Sequence, residues 1–225
     1  MMMRLPSQPA ELPPLLVLTD RHQAAAPLVD VIAAAVEAGA RAVVLREKDL
    51  SPARRAELAA ALATVVRRAG GVLLAAGVPL PGCDGVHLPA PARLTPDRLT
   101  PDRLALDPLR APLGVGIVGQ SCHDEAELRA AESAGVDYVT LSPVFATASK
   151  PGYGPALGVE RLAALAATTA VPVYGLGGVE SEERVRSCRS AGAAGVAVMG
   201  AVMRAGDPGR VVAGFLAALG EPVRP

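Results

Sequence analysis

The sequence predicts an α/β fold, a (β/α)8 TIM barrel in a single domain, and two patterns carry that expectation. First, short runs that are apolar almost throughout recur along the chain, as strands covered on both faces should. They are "LLVLT" (15–19), "AVVLR" (42–46), "GVLLAA" (71–76), "DGVHL" (84–88), "GVGIVG" (114–119), "VDYVTL" (136–141), "VPVYGL" (171–176) and "AGVAVM" (194–199). Second, longer Ala/Leu/Arg segments of helical period lie between most of them and carry their own end signals. Ser51-Pro52 opens a helix that stops at Gly70-Gly71, and Asp124 opens one that stops at Gly135. Ser181 opens another, and Asp207-Pro208 opens the last, which ends at Gly220. A capping side chain or an N1 proline starts a helix, and glycine ends it. The gap between the third and fourth runs is too short for a full helix. The segment 89–107 holds "LTPDR" twice, at 94–98 and 99–103, and reads as a surface helix or turn.

The length suffices for one large domain or two small ones, and the composition for a sizeable core. The chain has 225 residues, 51% of them hydrophobic and only 2% aromatic, so its core is built from thin side chains. Lys+Arg and Asp+Glu are both 22, and no basic patch or tail suggests nucleic acid or a membrane surface as partner. Three widely spaced cysteines, Cys83, Cys122 and Cys188, fit neither a disulfide framework nor a zinc site and point to a reducing, cytoplasmic setting. Residues 1–13 are Pro-rich with no apolar core and read as a flexible tail, which leaves 14–220 for the domain. No apolar run reaches membrane-spanning length.

The competing architecture is a doubly wound sheet. "GVGIVG" spells the G-x-G-x-x-G of dinucleotide sites, with Asp137 about 20 residues on. It sits in the fifth unit rather than the first. Ile117 and Val118 look like strand interior, and the helix starts only near Asp124, so the strand reading is preferred.

In a barrel, function sits at the carboxyl ends of the strands. Strand 1 ends in Thr19-Asp20-Arg21, a turn with a capping Asp. Strand 2 ends in Arg46-Glu47-Lys48, whose two cations could meet a phosphate or carboxylate. Strand 4 carries His87, a lone strand-end histidine that is more often structural than catalytic. Strand 5 leads into Ser121-Cys122-His123 just before a helix, where a neutral His suits proton transfer. A Cys122–His123 nucleophile is disfavoured because adjacent side chains diverge. Strands 7 and 8 end in "GLGGV" (175–179) and "VMGAV" (198–202), small-residue turns whose backbone amides together could cradle a phosphate. The loop "SPVFATASKPGYGPALG" (142–158) follows strand 6 beside that cradle and brings hydroxyls and a lysine to an anionic ligand.

These motifs, "LREK", "DGVHL", "GQSCH", "DYVTLSPVFATASKPG", "VYGLGGV" and "AGVAVMGAV", resemble the thiamine phosphate synthase / thiazole tautomerase (TenI) superfamily from about residue 15 to 219. The resemblance implies a (β/α)8 barrel, phosphorylated substrates and common oligomerisation. For a synthase, it implies that hydroxymethylpyrimidine pyrophosphate joins thiazole phosphate with Mg²⁺. Carried over, it makes Arg46 and Lys48 pyrophosphate ligands and adds Ser121, Thr147, Ser149 and Lys150 as substrate ligands. It places the thiazole phosphate on Gly177, Gly178, Gly200 and Ala201.

The departures are specific. Where the synthase pattern has Asn-Asp after strand 3, this chain has Ala75-Ala76. Where it has a Gly-Gln-x-Asp run after the strand-4 His, this chain has Pro89-Ala90-Pro91-Ala92. A pyrimidine-reading Gln is Val44. The two usual Mg²⁺ carboxylates therefore fall on Ala76 and Ala92, and no metal is expected unless Asp20, Asp84 or another carboxylate substitutes. The reading that follows is a metal-independent, tautomerase-like isomerase of a carboxylated thiazole phosphate, with His123 moving the proton. The alternatives are a divergent synthase, which is a transferase, and a non-catalytic binder of thiazole or thiamine phosphates.

Overall fold

The computed structural model of the protein describes residues 12–90, 116–147 and 155–220. Among these, eight parallel strands close into a barrel in sequence order, β1 (Leu15–Leu18), β2 (Ala42–Leu45), β3 (Val72–Ala76), β4 (Gly85–Leu88), β5 (Ile117–Cys122), β6 (Tyr138–Leu141), β7 (Val173–Leu176) and β8 (Gly195–Val198). The helices are α1 (Leu28–Glu37), α2 (Pro52–Arg68), α3 (Glu125–Ala134), α4 (Gly158–Ala166), α5 (Glu182–Ser190), the short α6 (Gly200–Met203) and α7 (Pro208–Leu219). The "LTPDR" repeat, Ser149, Lys150 and most of the N-terminal tail lie outside the described residues. No helix of the described residues is long and apolar enough to cross a membrane.

The strands are only four to six residues long, so each contributes two or three inward side chains and as many outward ones. The outward set packs under the helices with Val31, Ile32, Leu62, Leu128 and Phe215. The inward set is separate and small: Leu16, Leu18, Ala42, Val44, Leu74 and Ala76, completed by Tyr138, Tyr174 and Ala197. The two tyrosines meet edge to face at 5.5 Å and fill the barrel axis. Glycine makes room for them, since a Cβ on Gly119 would lie 2.1 Å from the Tyr138 ring and one on Gly195 2.7 Å from that of Tyr174.

The helix ends follow the sequence signals. The side chains of Ser51, Asp124, Ser181 and Asp207 each accept the amide three residues on. Gly135 and Gly220 end their helices in the left-handed region, with φ of 77° and 82°.

One strand differs from expectation. β5 runs on to Cys122 instead of ending at Gly119. Gln120 and Ser121 look like loop residues in sequence. In the barrel, Gln120 points outward to the Pro89 carbonyl at 3.3 Å, and Ser121 points inward. Ile117, Val118 and Gly119 lie inside the strand, so the dinucleotide fingerprint has no turn to act from. Asp137 instead accepts the Val118 amide at 2.6 Å at the start of the strand pair.

Candidate active site

A cavity of about 200 Å³ opens at the carboxyl ends of the strands. Arg46, Lys48, Ser121, His123 and Thr147 line it, as do Gly177, Gly178, Gly200 and Ala201. Every site residue expected from the sequence and lying among the described residues therefore meets in one space.

The β2 edge is built by alternation that continues past the strand. Arg46 and Lys48 face the cavity, while Glu47 between them turns away and is buried at 4% exposure. Arg21 balances that buried carboxylate: its amide and its guanidinium each reach Glu47 at 3.1 Å, and the guanidinium also holds Asp49. Thr19 fixes Arg46 by accepting its amide at 2.9 Å, and the Arg46 guanidinium also contacts Met199. Asp20 is 4.0 Å from Arg46 and otherwise caps its own turn through His22 and Gln23. Lys48 lies over Gly77, where a Cβ would sit 3.6 Å from its Cε. Beneath this edge Arg55, 6% exposed, donates to the carbonyls of Leu45 and Ala76 and ties α2 to the ends of β2 and β3.

The β7–β8 edge is made of backbone. Gly177 and Gly178 have φ of 94° and 64°, and their amides have no acceptor among the described residues. The same holds for the amides of Gly200 and Ala201 at the start of α6. The loop after β6 presses on this turn: Val144 and Phe145 donate to the carbonyls of Leu176 and Gly177 at 2.8 and 3.0 Å. A Cβ on Gly178 would lie 2.4 Å from the Ala146 oxygen. Arg184 clamps the turn from outside, donating to the Gly178 carbonyl at 2.6 Å and covering the Phe145 ring. The far end of the loop returns to its base, where Leu157 and Gly158 donate to Pro143 and Val144. Four unclaimed amides around a short extra helix suit a phosphate.

Between these edges stand two histidines. The Nδ1 of His123 lies 2.8 Å from a Glu127 oxygen that also accepts the His123 amide. The i,i+4 spacing at the start of α3 signals that partner in the sequence, although sequence reading did not single it out. His87 proves part of the cavity wall, which sequence reading had left as structural. Its Nδ1 is 2.9 Å from the Tyr138 hydroxyl and its Nε2 is 3.0 Å from the Ser121 hydroxyl. Burial first, then the Lys48 and Arg46 charges, push the His87 pKa from 6.5 down to about 3, so the ring is neutral. Cys122 points the other way, into the outer core, and burial pushes its thiol up to about 12, which excludes a Cys–His nucleophile.

The magnesium that the superfamily resemblance implies for a synthase does not fit these residues. Ala76 at the end of β3 lines the cavity and offers no side-chain oxygen, as does Ala90 after β4, while Ala92, the second expected carboxylate position, lies outside the described residues. Asp84 sits at the opposite end of the barrel, accepting the Leu73 amide and an Arg67 contact. Glu180 is the one carboxylate among the described lining residues, and Arg204 holds it at 2.8 Å. No cluster of three potential ligands occurs among the described residues. Cations, Lys48 and Arg55, surround the β3 end instead.

Comparison with known proteins agrees with this geometry. The family model described as thiamine monophosphate synthase (TMP-TENI) matches residues 15–202. A putative thiamine-phosphate synthase of Geobacter sulfurreducens is 37% identical over 214 residues, spanning 91% of this chain and 93% of that protein. A thiamine-phosphate synthase of Roseiflexus sp. is 36% identical over 85% of this chain and 79% of its own length. The solved thiamine phosphate pyrophosphorylase from Pyrococcus furiosus superposes with a TM-score of 0.76 at 25% identity, covering 92% of this chain and 95% of that one. With the closed barrel and these relatives together, the chain belongs to the thiamine monophosphate synthase family.

Proposed function

We propose that the protein is a transferase of thiamine biosynthesis that joins a hydroxymethylpyrimidine pyrophosphate to a thiazole phosphate. The supporting observation is that two anion-holding edges face one cavity, Arg46 and Lys48 on one side and the Gly177–Gly178 and Gly200–Ala201 amides on the other. Two phosphorylated substrates need both. The names of the relatives support the same reading. Arg46 and Lys48 would take the pyrophosphate and meet its charge as it leaves, while the amide cradle would hold the thiazole phosphate. Ser121 and Thr147 line the space between, with Ser149 and Lys150 close by in sequence. No step is assigned to a metal.

A second reading rests on one observation, the alanines at the ends of β3 and β4 beside a His123–Glu127 pair. An aromatising proton shift on a carboxylated thiazole phosphate needs a phosphate cradle, a cation for the carboxylate and an acid–base group. His123 would move the proton, and no metal would take part.

Product formation by the purified protein separates the readings. The two substrates are supplied with Mg²⁺ and, separately, with chelator. Thiamine phosphate in both conditions supports the transferase with side-chain cations. Thiamine phosphate only with Mg²⁺ supports the transferase and shows that a metal is recruited by other groups. No thiamine phosphate, with turnover of the carboxythiazole tautomer, replaces the transferase with the isomerase. Binding of thiazole phosphate without any turnover leaves a binder.

A further inference from the structure

The three groups Tyr138, His87 and Ser121 form a chain of hydrogen bonds from the buried barrel axis to the cavity wall. Tyr138 is fully buried, and burial pushes its hydroxyl well above the usual phenol range, so it keeps its proton. That proton has one acceptor among the described residues, the His87 Nδ1 at 2.9 Å. If the ring donated instead, the Tyr138 proton would be buried without a partner, at a cost of about 1–3 kcal/mol. A neutral imidazole carries one proton, so an accepting Nδ1 places it on Nε2. Nε2 faces the Ser121 Oγ at 3.0 Å and donates to it. The Ser121 proton then has no protein acceptor among the described residues and is available to the cavity that Ser121 lines.

We propose that Tyr138 and His87 are positioning residues that hold a fixed Nε2–H tautomer and so turn the Ser121 hydroxyl into a dedicated donor toward an anionic oxygen of the ligand. Packing supports this direction. Gly119 leaves the space that lets the Tyr138 ring sit across the axis, and the two rings of the relay stack at 5.5 Å. A serine at this place without the relay could accept or donate. With it, an anion is selected over a ligand that offers a donor.

The tautomer is read directly from imidazole nitrogen-15 spectra of the full chain. It has three histidines, assigned with His22→Gln and His123→Gln. The expected result is a neutral His87 protonated on Nε2 from about pH 5 to pH 8. Protonation on Nδ1 overturns the proposal. A second arm uses calorimetry with inorganic pyrophosphate and rests on the proposed use of the cavity. Tyr138→Phe and Ser121→Ala each weaken binding about three- to tenfold, and the double variant binds as Ser121→Ala alone. Losses that multiply would assign Tyr138 a merely structural role and overturn the relay. If Tyr138→Phe does not fold, the wild-type spectra decide. Wild-type protein that binds no pyrophosphate overturns the proposed function while leaving the tautomer result standing.

Discussion

The two edges of the cavity are built by different means. At β7–β8 the groups facing the cavity are backbone amides, and the glycines that expose them also let the β6 loop pack against the turn. At β2 they are side chains, Arg46 and Lys48, carried on a strand end whose fold depends on their neighbours Thr19, Glu47 and Arg55. Binding and folding are therefore one property at the first edge and two separable properties at the second.

The largest test of that contrast is Gly178→Ala. Its φ of 64° strains any side chain by about 1–3 kcal/mol, and the Cβ would also press on the Ala146 oxygen. Thermal unfolding should fall by several degrees, and phosphate binding should be lost with it. On the isomerase reading, His123→Ala should cost about 10²- to 10⁴-fold in carboxythiazole turnover. Its melting temperature should stay near wild type, because the His123–Glu127 pair is a partly exposed contact. A melting temperature that collapsed instead would break the separation.

Acid sharpens the comparison further. The folded His87 pKa is about 3 against 6.5 for a free ring, so below 6.5 the unfolded chain binds the proton that the folded chain refuses. Stability should therefore be full above about pH 6.5 and fall as the pH drops toward 3, by up to about 1.4 kcal/mol per pH unit. Denaturant titrations across that range should show a shallower slope for His87→Asn. The smallest effect is expected of Arg46→Ala. It should weaken pyrophosphate binding about tenfold, near 1.4 kcal/mol, with stability changed by less than about 0.5 kcal/mol.

The barrel was legible because the strands are apolar almost throughout and four of the helices carry side-chain caps. Arg46, Lys48 and the paired glycine turns were legible because they stand at strand ends in chain order. Two kinds of information were not. The end of β5 was hidden because Gln120 and Ser121 are polar, and only closure of the barrel shows one turned to a carbonyl and the other to the axis. The roles of Tyr138 and Glu47 were hidden because their partners lie 51 and 26 residues away in sequence. Tyr138 read as one more apolar beat of its strand. Glu47 stands in sequence as one charge among three, and its burial under Arg21 shows only in the fold.

The amino end of the barrel has a further consequence. The Tyr174 hydroxyl donates to the Leu12 and Pro13 carbonyls, and the Pro14 carbonyl is packed against Gly195, so the chain seals the bottom beneath two aromatic rings set edge to face. Among the described residues the cavity is thus closed toward the amino end and opens at the carboxyl ends of the strands. Whatever arrives second stands between the first arrival and solvent. On the transferase reading, traffic is then ordered by geometry alone, and the molecule seated deepest is the last to leave.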